Sequence, residues 1–252
     1  RYSAASAPAK SASSVERRSS AREASICIHD VTVGRGGALA GVGAGAGSLG
    51  MPMSQQELYG LPQRDFAGSD GGTIGYFFRP AAEQQSERRR LLIFLHGHGS
   101  TGDVDGLPRL RDQAAFLAEG RFTLRDCAVL VPWLRRNTRG GWHAPANRLT
   151  VLELLAQTLA TERITSVCVM GVSMGGFPAL GMVGSLPEVG SAVLVCGGGD
   201  ATLGRSLLGL PLWLLHGAND SVVPAAWSDE VGALPLGPAA VRTGTHSHGA
   251  PR

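Results

Sequence analysis

Ser166-Val-Cys-Val-Met-Gly-Val-Ser173-Met-Gly-Gly-Phe-Pro-Ala-Leu180 joins three patterns in one short stretch. Val167 to Met170 is an apolar run of the kind that forms a buried strand. Gly171-Val172-Ser173-Met174-Gly175 then fits G-x-S-x-G, and a helix-compatible run follows. Strand, sharp turn and helix would carry the Ser173 hydroxyl to the carboxyl end of the strand. Small residues flank it because a Cβ there would meet neighbouring backbone. The Met174 N–H, at the start of the helix, points to where an oxyanion would form. A plain turn is the competing reading, since G-x-S-x-G alone is common. The apolar strand ahead of it and the matching motifs elsewhere favour a nucleophile.

The segments on either side repeat the alternation of strand and helix. Asp70-Gly71-Gly72 is a turn signal, and Thr73 to Phe78 reads as a strand ended by Pro80. Arg88-Arg89-Arg90 reads as a solvated strand entrance rather than a binding patch. Leu91 to Leu95 is continuously apolar, a strand buried on both faces. It runs into His96-Gly97-His98-Gly99-Ser100, where Gly97 and Gly99 let the backbone approach a reacting centre. The His98 amide is the expected second oxyanion donor, and His96 is expected to brace the loop. Leu107 to Gly120 is helix-like, and Cys127 to Val131 is a strand closed by Pro132. The loop 133–147 carries Arg135, Arg136, Arg139 and Trp142, and Trp142 is expected at the substrate rim. Its arginines either favour an anionic substrate or are simply solvated, the plainer reading.

Leu149 to Thr161 is an amphipathic helix with Leu152, Leu155 and Leu159 on one face. Ala192 to Cys196, Leu212 to Leu215 and Ala239 to Arg242 are further strands, and Ala225 to Leu234 suits a helix. The alternation predicts an α/β fold, a doubly wound and mostly parallel sheet with helices on both faces. Catalytic loops then lie at the carboxyl ends of the strands. Only 14 residues separate Cys196 from Pro211, too few for a large lid.

Composition bounds the rest. The chain has 252 residues, 43% of them apolar, and a formal charge of +3. Residues 1–25 hold five basic and two acidic residues, so the remainder is neutral and nothing argues for nucleic acid. No apolar run is long enough for a transmembrane helix. Residues 1–25 carry eight serines and no hydrophobic period. They read equally as a transit-like segment or a low-complexity tail, which leaves the compartment open between cytoplasm and organelle. Ile26 to Val33 could form a short strand, and Gly34 to Gly50 reads as a flexible linker. The expected division is therefore a disordered tail and linker over 1–60 and one domain over 61–252. Cys27, Cys127, Cys168 and Cys196 match no metal spacing and read as reduced thiols.

A serine hydroxyl needs a base within hydrogen-bond reach and a carboxylate to orient that base. Ser173, Asp220 and His246 follow one another in the order Ser, acid, His, each at an expected strand end. Asp220 lies in His216-Gly-Ala-Asn-Asp220-Ser-Val-Val-Pro224, and Asp200 is the competing acid. His246 follows the Gly244-Thr245 turn, and His248 is the alternative base. His143 and His216 read as structural.

Leu-Ile-Phe-Leu-His-Gly-x-Gly, Gly-Val-Ser-Met-Gly-Gly, Val-Cys-Gly-Gly-Gly-Asp and Leu-His-Gly-Ala-Asn-Asp-Ser-Val-Val-Pro together resemble the α/β-hydrolase superfamily. More narrowly, they are similar to the phospholipase/carboxylesterase group and the predicted peptidase and polyhydroxybutyrate-depolymerase-like esterases. The Gly141-Trp142 pair also suits that group. The resemblance covers about residues 70 to 248. It implies acyl transfer from a small-molecule ester or thioester to water without a cofactor or metal. Ser173 would be the nucleophile, Asp220 the acid and His246 the base, with the His98 and Met174 amides as oxyanion hole. His98 stands where these families usually carry a small or apolar residue. The chain ends four residues after His248, where they carry a closing helix. The missing helix is expected to reflect a truncated chain or a weak or dead hydrolase, and a non-catalytic binding protein on the same fold is the expectation from another class. An acyl-protein thioesterase and a peptidase-like hydrolase are the other enzymatic ones.

Overall fold

The computed structural model describes residues 56–82, 89–102, 106–118, 126–134, 140–183, 186–199 and 209–234. A small hairpin comes first, β1 (Glu57–Leu58) and β2 (Leu61–Pro62). Tyr59 and Gly60 both take positive φ at its turn, the two-residue geometry that matches the twist of the flanking strands. Leu58 is fully buried, so packed chain is already present ahead of residue 61.

The main sheet holds β3 (Arg64–Ala67), β4 (Thr73–Arg79), β5 (Arg90–Leu95), β6 (Cys127–Trp133), β7 (Ser166–Val172), β8 (Val189–Val195) and β9 (Leu212–Leu215). Their order is β3-β4-β6-β5-β7-β8-β9. The pairs β6–β5, β5–β7, β7–β8 and β8–β9 are parallel, and β3 and β4 complete one edge with antiparallel pairing. Helices α1 (Gly106–Gln113), α2 (Pro145–Glu162), α3 (Gly176–Val183) and α4 (Ala226–Gly232) connect or follow the strands. This is the doubly wound, mostly parallel α/β architecture that the alternation of patterns predicts.

Strand β5 shows why both faces are covered. Successive side chains point to opposite faces. Leu91, Ile93 and Leu95 join one core cluster with Val169, Leu155 and Leu180. Leu92 and Phe94 join the other with Phe77, Leu110 and Trp133. A strand with only one face buried would alternate with polar residues, and β5 does not. Its entrance is fastened by Arg90, whose Nε donates to Asp126 Oδ2 at 3.0 Å, while Arg89 Nη1 donates to the Glu162 carbonyl at 3.1 Å.

Several boundaries differ from the sequence expectation, among them the start of α2, which lies at Pro145 instead of Leu149. Strand β6 runs through Pro132 to Trp133 instead of closing at Val131, because its pairing with β4 extends to Gly75↔Trp133. Its pairing with β5 has already ended at Ile93↔Leu130, so the missing proline N–H falls beyond that ladder. Helix α1 stops at Gln113, and a 3₁₀ turn over Ala115–Leu117 replaces the rest of the expected helix. Strand β8 ends at Val195, leaving Cys196 just past it. The expected strands over 26–33 and 239–242 and the expected disordered tail lie outside the described residues, apart from the tail's last few positions. Among the described residues, no helix is long and apolar enough to cross a membrane.

Candidate active site

The parallel strands β5, β7, β8 and β9 are neighbours, and their carboxyl ends deliver four loops to one edge of the sheet. Strand β7 leads into a 3₁₀ turn over Ser173–Gly175 and then α3. Ser173 has φ 50, the left-handed region that a non-glycine residue rarely occupies. Such strain costs on the order of 1–3 kcal/mol and persists only where the surroundings enforce it. The flanking glycines do so. A Cβ on Gly171 would collide with the Gly175 carbonyl oxygen, and one on Gly175 would collide with the Leu95 carbonyl oxygen. The turn is thus wedged against β5, and no side chain fits at position 171 or 175. Ser173 itself is half-buried, reachable from the surface.

The loop after β5 lies against this turn. A Cβ on Gly97 would stand 3.4 Å from the Ser173 Cβ. The Gly97 N–H donates to Gln113 Oε1 at 2.8 Å, so the end of α1 holds the loop. His98 opens a 3₁₀ turn over His98–Ser100, with an exposed side chain. His96 is fully buried. Its Nδ1 donates to the Gly97 carbonyl at 2.8 Å, and its Nε2 accepts the Leu134 N–H at 3.1 Å. Burial pushes the His96 imidazolium down from 6.5 to about 4, which fits a neutral ring with one donor and one acceptor nitrogen.

Trp142 is not at a rim. It is 2% exposed, and its indole N–H donates to the His96 carbonyl at 2.8 Å. Its ring lies 5.0 Å from that of His96. A tryptophan in a loop suggested an exposed aromatic, but the indole has a buried acceptor in reach and packs beneath the loop instead.

Asp220 lies in the loop after β9, with its side chain 7% exposed. Its Oδ1 accepts the N–H groups of Val222 at 2.9 Å and Val223 at 3.0 Å. Cys196 Sγ lies within 4.8 Å of its carboxylate, and His216 Nε2 stands 3.7 Å from Oδ2. Burial alone would raise this carboxyl. The Val223 and Val222 amides, the thiol and His216 outweigh it and hold the group below its ordinary value.

Cys196, His216 and Asp220 bring ligand-type atoms within 4.8 Å of one another. A metal is nevertheless a poor fit to the histidine. His216 Nε2 lies 2.8 Å from the Val223 carbonyl, which can only accept, so that nitrogen carries a proton. Its Nδ1 is 2.6 Å from Ser228 Oγ, which in turn donates to the Gly197 carbonyl at 2.7 Å. His216 therefore ties the β9 loop to α4 and to the end of β8. Sequence reading assigned His216 a structural role but gave Cys196 no part at the site; only the crossing from β8 to β9 brings the thiol to Asp220.

The competing acid Asp200, both candidate bases His246 and His248, and Arg135, Arg136 and Arg139 lie outside the described residues. A cavity of about 130 Å³ opens elsewhere, between α2 and the β3–β4 edge, lined by Arg64, Phe78 and Thr158 among others. Strands β6 and β5 separate that edge from β7.

Solved structures share this fold. A thermostable esterase matches with a TM-score of 0.62 and 22% identity over 74% of this chain and 54% of its own. A cold-adapted esterase from an Arctic intertidal metagenomic library matches with a TM-score of 0.56 and 19% identity over 75% and 86%. A puromycin hydrolase matches with a TM-score of 0.56 and 18% identity over 75% of this chain and 36% of its own. The chain thus spans about half the length of the thermostable esterase and about a third of the puromycin hydrolase. No protein-family model matches the chain, and a search of curated protein sequences returns no match. The chain shares its fold with these esterases, and its G-x-S-x-G serine lies on the strand-to-helix turn.

Proposed function

We propose that this protein is a serine hydrolase of carboxylic esters, working through an acyl-enzyme and without a cofactor. The observation that carries this reading is Ser173, held at φ 50 on a turn whose flanking glycines admit no side chain. Likeness in fold to several esterases supports the substrate class. In the proposed reaction, Ser173 Oγ attacks the ester carbonyl while His246 takes its proton. The tetrahedral oxyanion is met by the Met174 and His98 N–H groups. Collapse expels the alcohol, which receives the proton from His246. Water, deprotonated by the same imidazole, then releases the acid and restores Ser173. Asp220 orients the imidazole and stabilises its charged form, a role suited to a carboxylate held ionised by two amides and a thiol. His248 is the alternative base.

A labelling experiment tests the assignment. A fluorophosphonate should label the wild type and leave Ser173→Ala and His246→Ala unlabelled. Labelling that survives His246→Ala but not His248→Ala would move the base to His248. A wild type that neither labels nor hydrolyses p-nitrophenyl esters would favour a binding protein on a hydrolase fold. The puromycin hydrolase among the matched structures motivates a second reading, cleavage of an amide or peptide bond. An aminoacyl amide assayed beside oxygen esters and thioesters of one acyl group separates these activities, the acyl-protein thioesterase reading included.

A further inference from the structure

Four non-glycine residues take positive φ among the described residues: Tyr59, Arg163, Ser173 and Cys196. Tyr59 lies in a hairpin turn and Arg163 caps α2, places where this conformation is ordinary. The other two terminate adjacent parallel strands, Ser173 after β7 and Cys196 after β8, at φ 50 and 48. The strain at Ser173 has a reason in the presentation of a nucleophile. Nothing in the proposed reaction explains the strain at Cys196, which a glycine would relieve.

The surroundings of Cys196 supply a reason. Its N–H donates to the Leu215 carbonyl at 2.7 Å, carrying the pairing of β8 with β9 past the strand end. The side chain is then turned toward the β9 loop, where Sγ lies within 4.8 Å of an Asp220 carboxylate oxygen. Burial pushes the thiol's pKa up, the Gly217 N–H opposes that rise and the Asp220 carboxylate adds to it. Glycine would satisfy the backbone but could not make the second contact. The carboxylate is nearly enclosed, and an enclosed acceptor without its donor loses more than a solvated one.

We infer that Cys196 is a positioning residue for Asp220: its thiol passes a backbone N–H through sulfur to the carboxylate and fixes the orientation of the acid. This inference rests on the proposed role of Asp220 in the ester hydrolase. The thiol is a weak donor, so its effect on rate should be modest beside loss of the acid itself.

The test uses the full chain with Cys196→Ala and Cys196→Ser, the second keeping a donor. In the wild type the carboxylate charge is partly satisfied by the thiol. Without it, a proton is held more tightly, both on the carboxylate and on the imidazole that Asp220 is proposed to orient. Cys196→Ala should therefore lower kcat for a p-nitrophenyl ester roughly tenfold at unchanged KM. It should also move the acid limb of the pH profile to higher pH. Cys196→Ser should restore both toward wild type. If the thiol only fills space, both variants lose thermal stability and the acid limb stays where it was. An unmoved limb in Cys196→Ala, or equal displacement in both variants, overturns the inference. A second readout needs no activity: the ¹³C carboxyl resonance of Asp220 should titrate at higher pH in Cys196→Ala than in wild type. If wild type proves inactive while that titration still moves, the hydrolase reading fails and the thiol–carboxylate link stands. If it does not move, the link fails too.

Discussion

Gly97 and Ser173 stand so close that a Cβ on the glycine would lie 3.4 Å from the serine Cβ. The same added carbon would be 3.4 Å from the Val172 carbonyl oxygen and 3.2 Å from Gln113 Nε2. An alanine fits there once the Gln113 side chain gives by a few tenths of an ångström, but a branched side chain also presses on the Val172 carbonyl and Ser173. Gly97 has φ −76, so the backbone tolerates substitution and only space is at issue. Gly97→Val should fold and yet lower kcat/KM for esters by on the order of tenfold or more, with Gly97→Ala much closer to wild type. Steady-state kinetics on the two variants checks this.

Gly175 faces a different limit. A Cβ there meets the Leu95 carbonyl oxygen and the His96 carbonyl oxygen, both backbone atoms that no rotamer change can move. Gly175→Ala should therefore destabilise the fold by about 3 kcal/mol or more, near the upper range for overpacking. Urea titration of the variant beside wild type measures the loss.

His96 makes stability depend on pH. Its folded value is about 4 against 6.5 for the ordinary imidazole. Between those values the unfolded chain binds a proton that the folded chain refuses, so stability falls as pH drops through that window. The contribution is fully present above pH 6.5 and is lost by about pH 4. The difference corresponds to about 3 kcal/mol. Urea midpoints across that range should fall more steeply for wild type than for His96→Gln, which cannot titrate.

Trp142 separates a buried brace from a substrate contact. Trp142→Phe keeps the ring but leaves the His96 carbonyl without its indole donor. The expected cost is about 1–3 kcal/mol of stability, with KM unchanged across esters of different acyl length. A KM that depends on acyl length would instead place the indole in the substrate path.

Asp220→Asn tests the acid. Asparagine can still accept the Val222 and Val223 N–H groups through its amide oxygen. It cannot stabilise an imidazolium, so kcat should fall by roughly 10⁴-fold. The depressed carboxyl also contributes to stability above its ordinary range, a contribution lost as pH falls through the folded value. The acid side of the unfolding curve should flatten in the variant.

Local pattern determined much of this protein. Continuous apolar runs such as Leu91–Leu95 announce strands buried on both faces, because only a sheet covered twice leaves no polar side to solvate. Gly-x-Ser-x-Gly after such a run announces the strand-to-helix turn, because the chain reverses there at a spacing only glycines permit. These signals are local, and strand-to-helix alternation extends them to a parallel sheet by the handedness of its crossovers. Pro132 shows the limit of local reading: proline marks the end of a strand, but the ladder to β4 carries this one further. Trp142 shows it again, because its burial depends on a carbonyl 46 residues earlier.

What only the tertiary structure decided is which distant atoms meet. Cys196 reads in the sequence as one more core thiol, and Gln113 as one more polar residue on a helix. Parallel pairing of β8 with β9 turns the first toward Asp220, and packing of α1 against the β5 loop turns the second toward the Gly97 amide. Side-chain pattern reports what each segment buries, a property of neighbours along the chain. Hydrogen bonds between loops depend on strand order and on residues held at unusual φ, and neither leaves a periodic trace in the sequence.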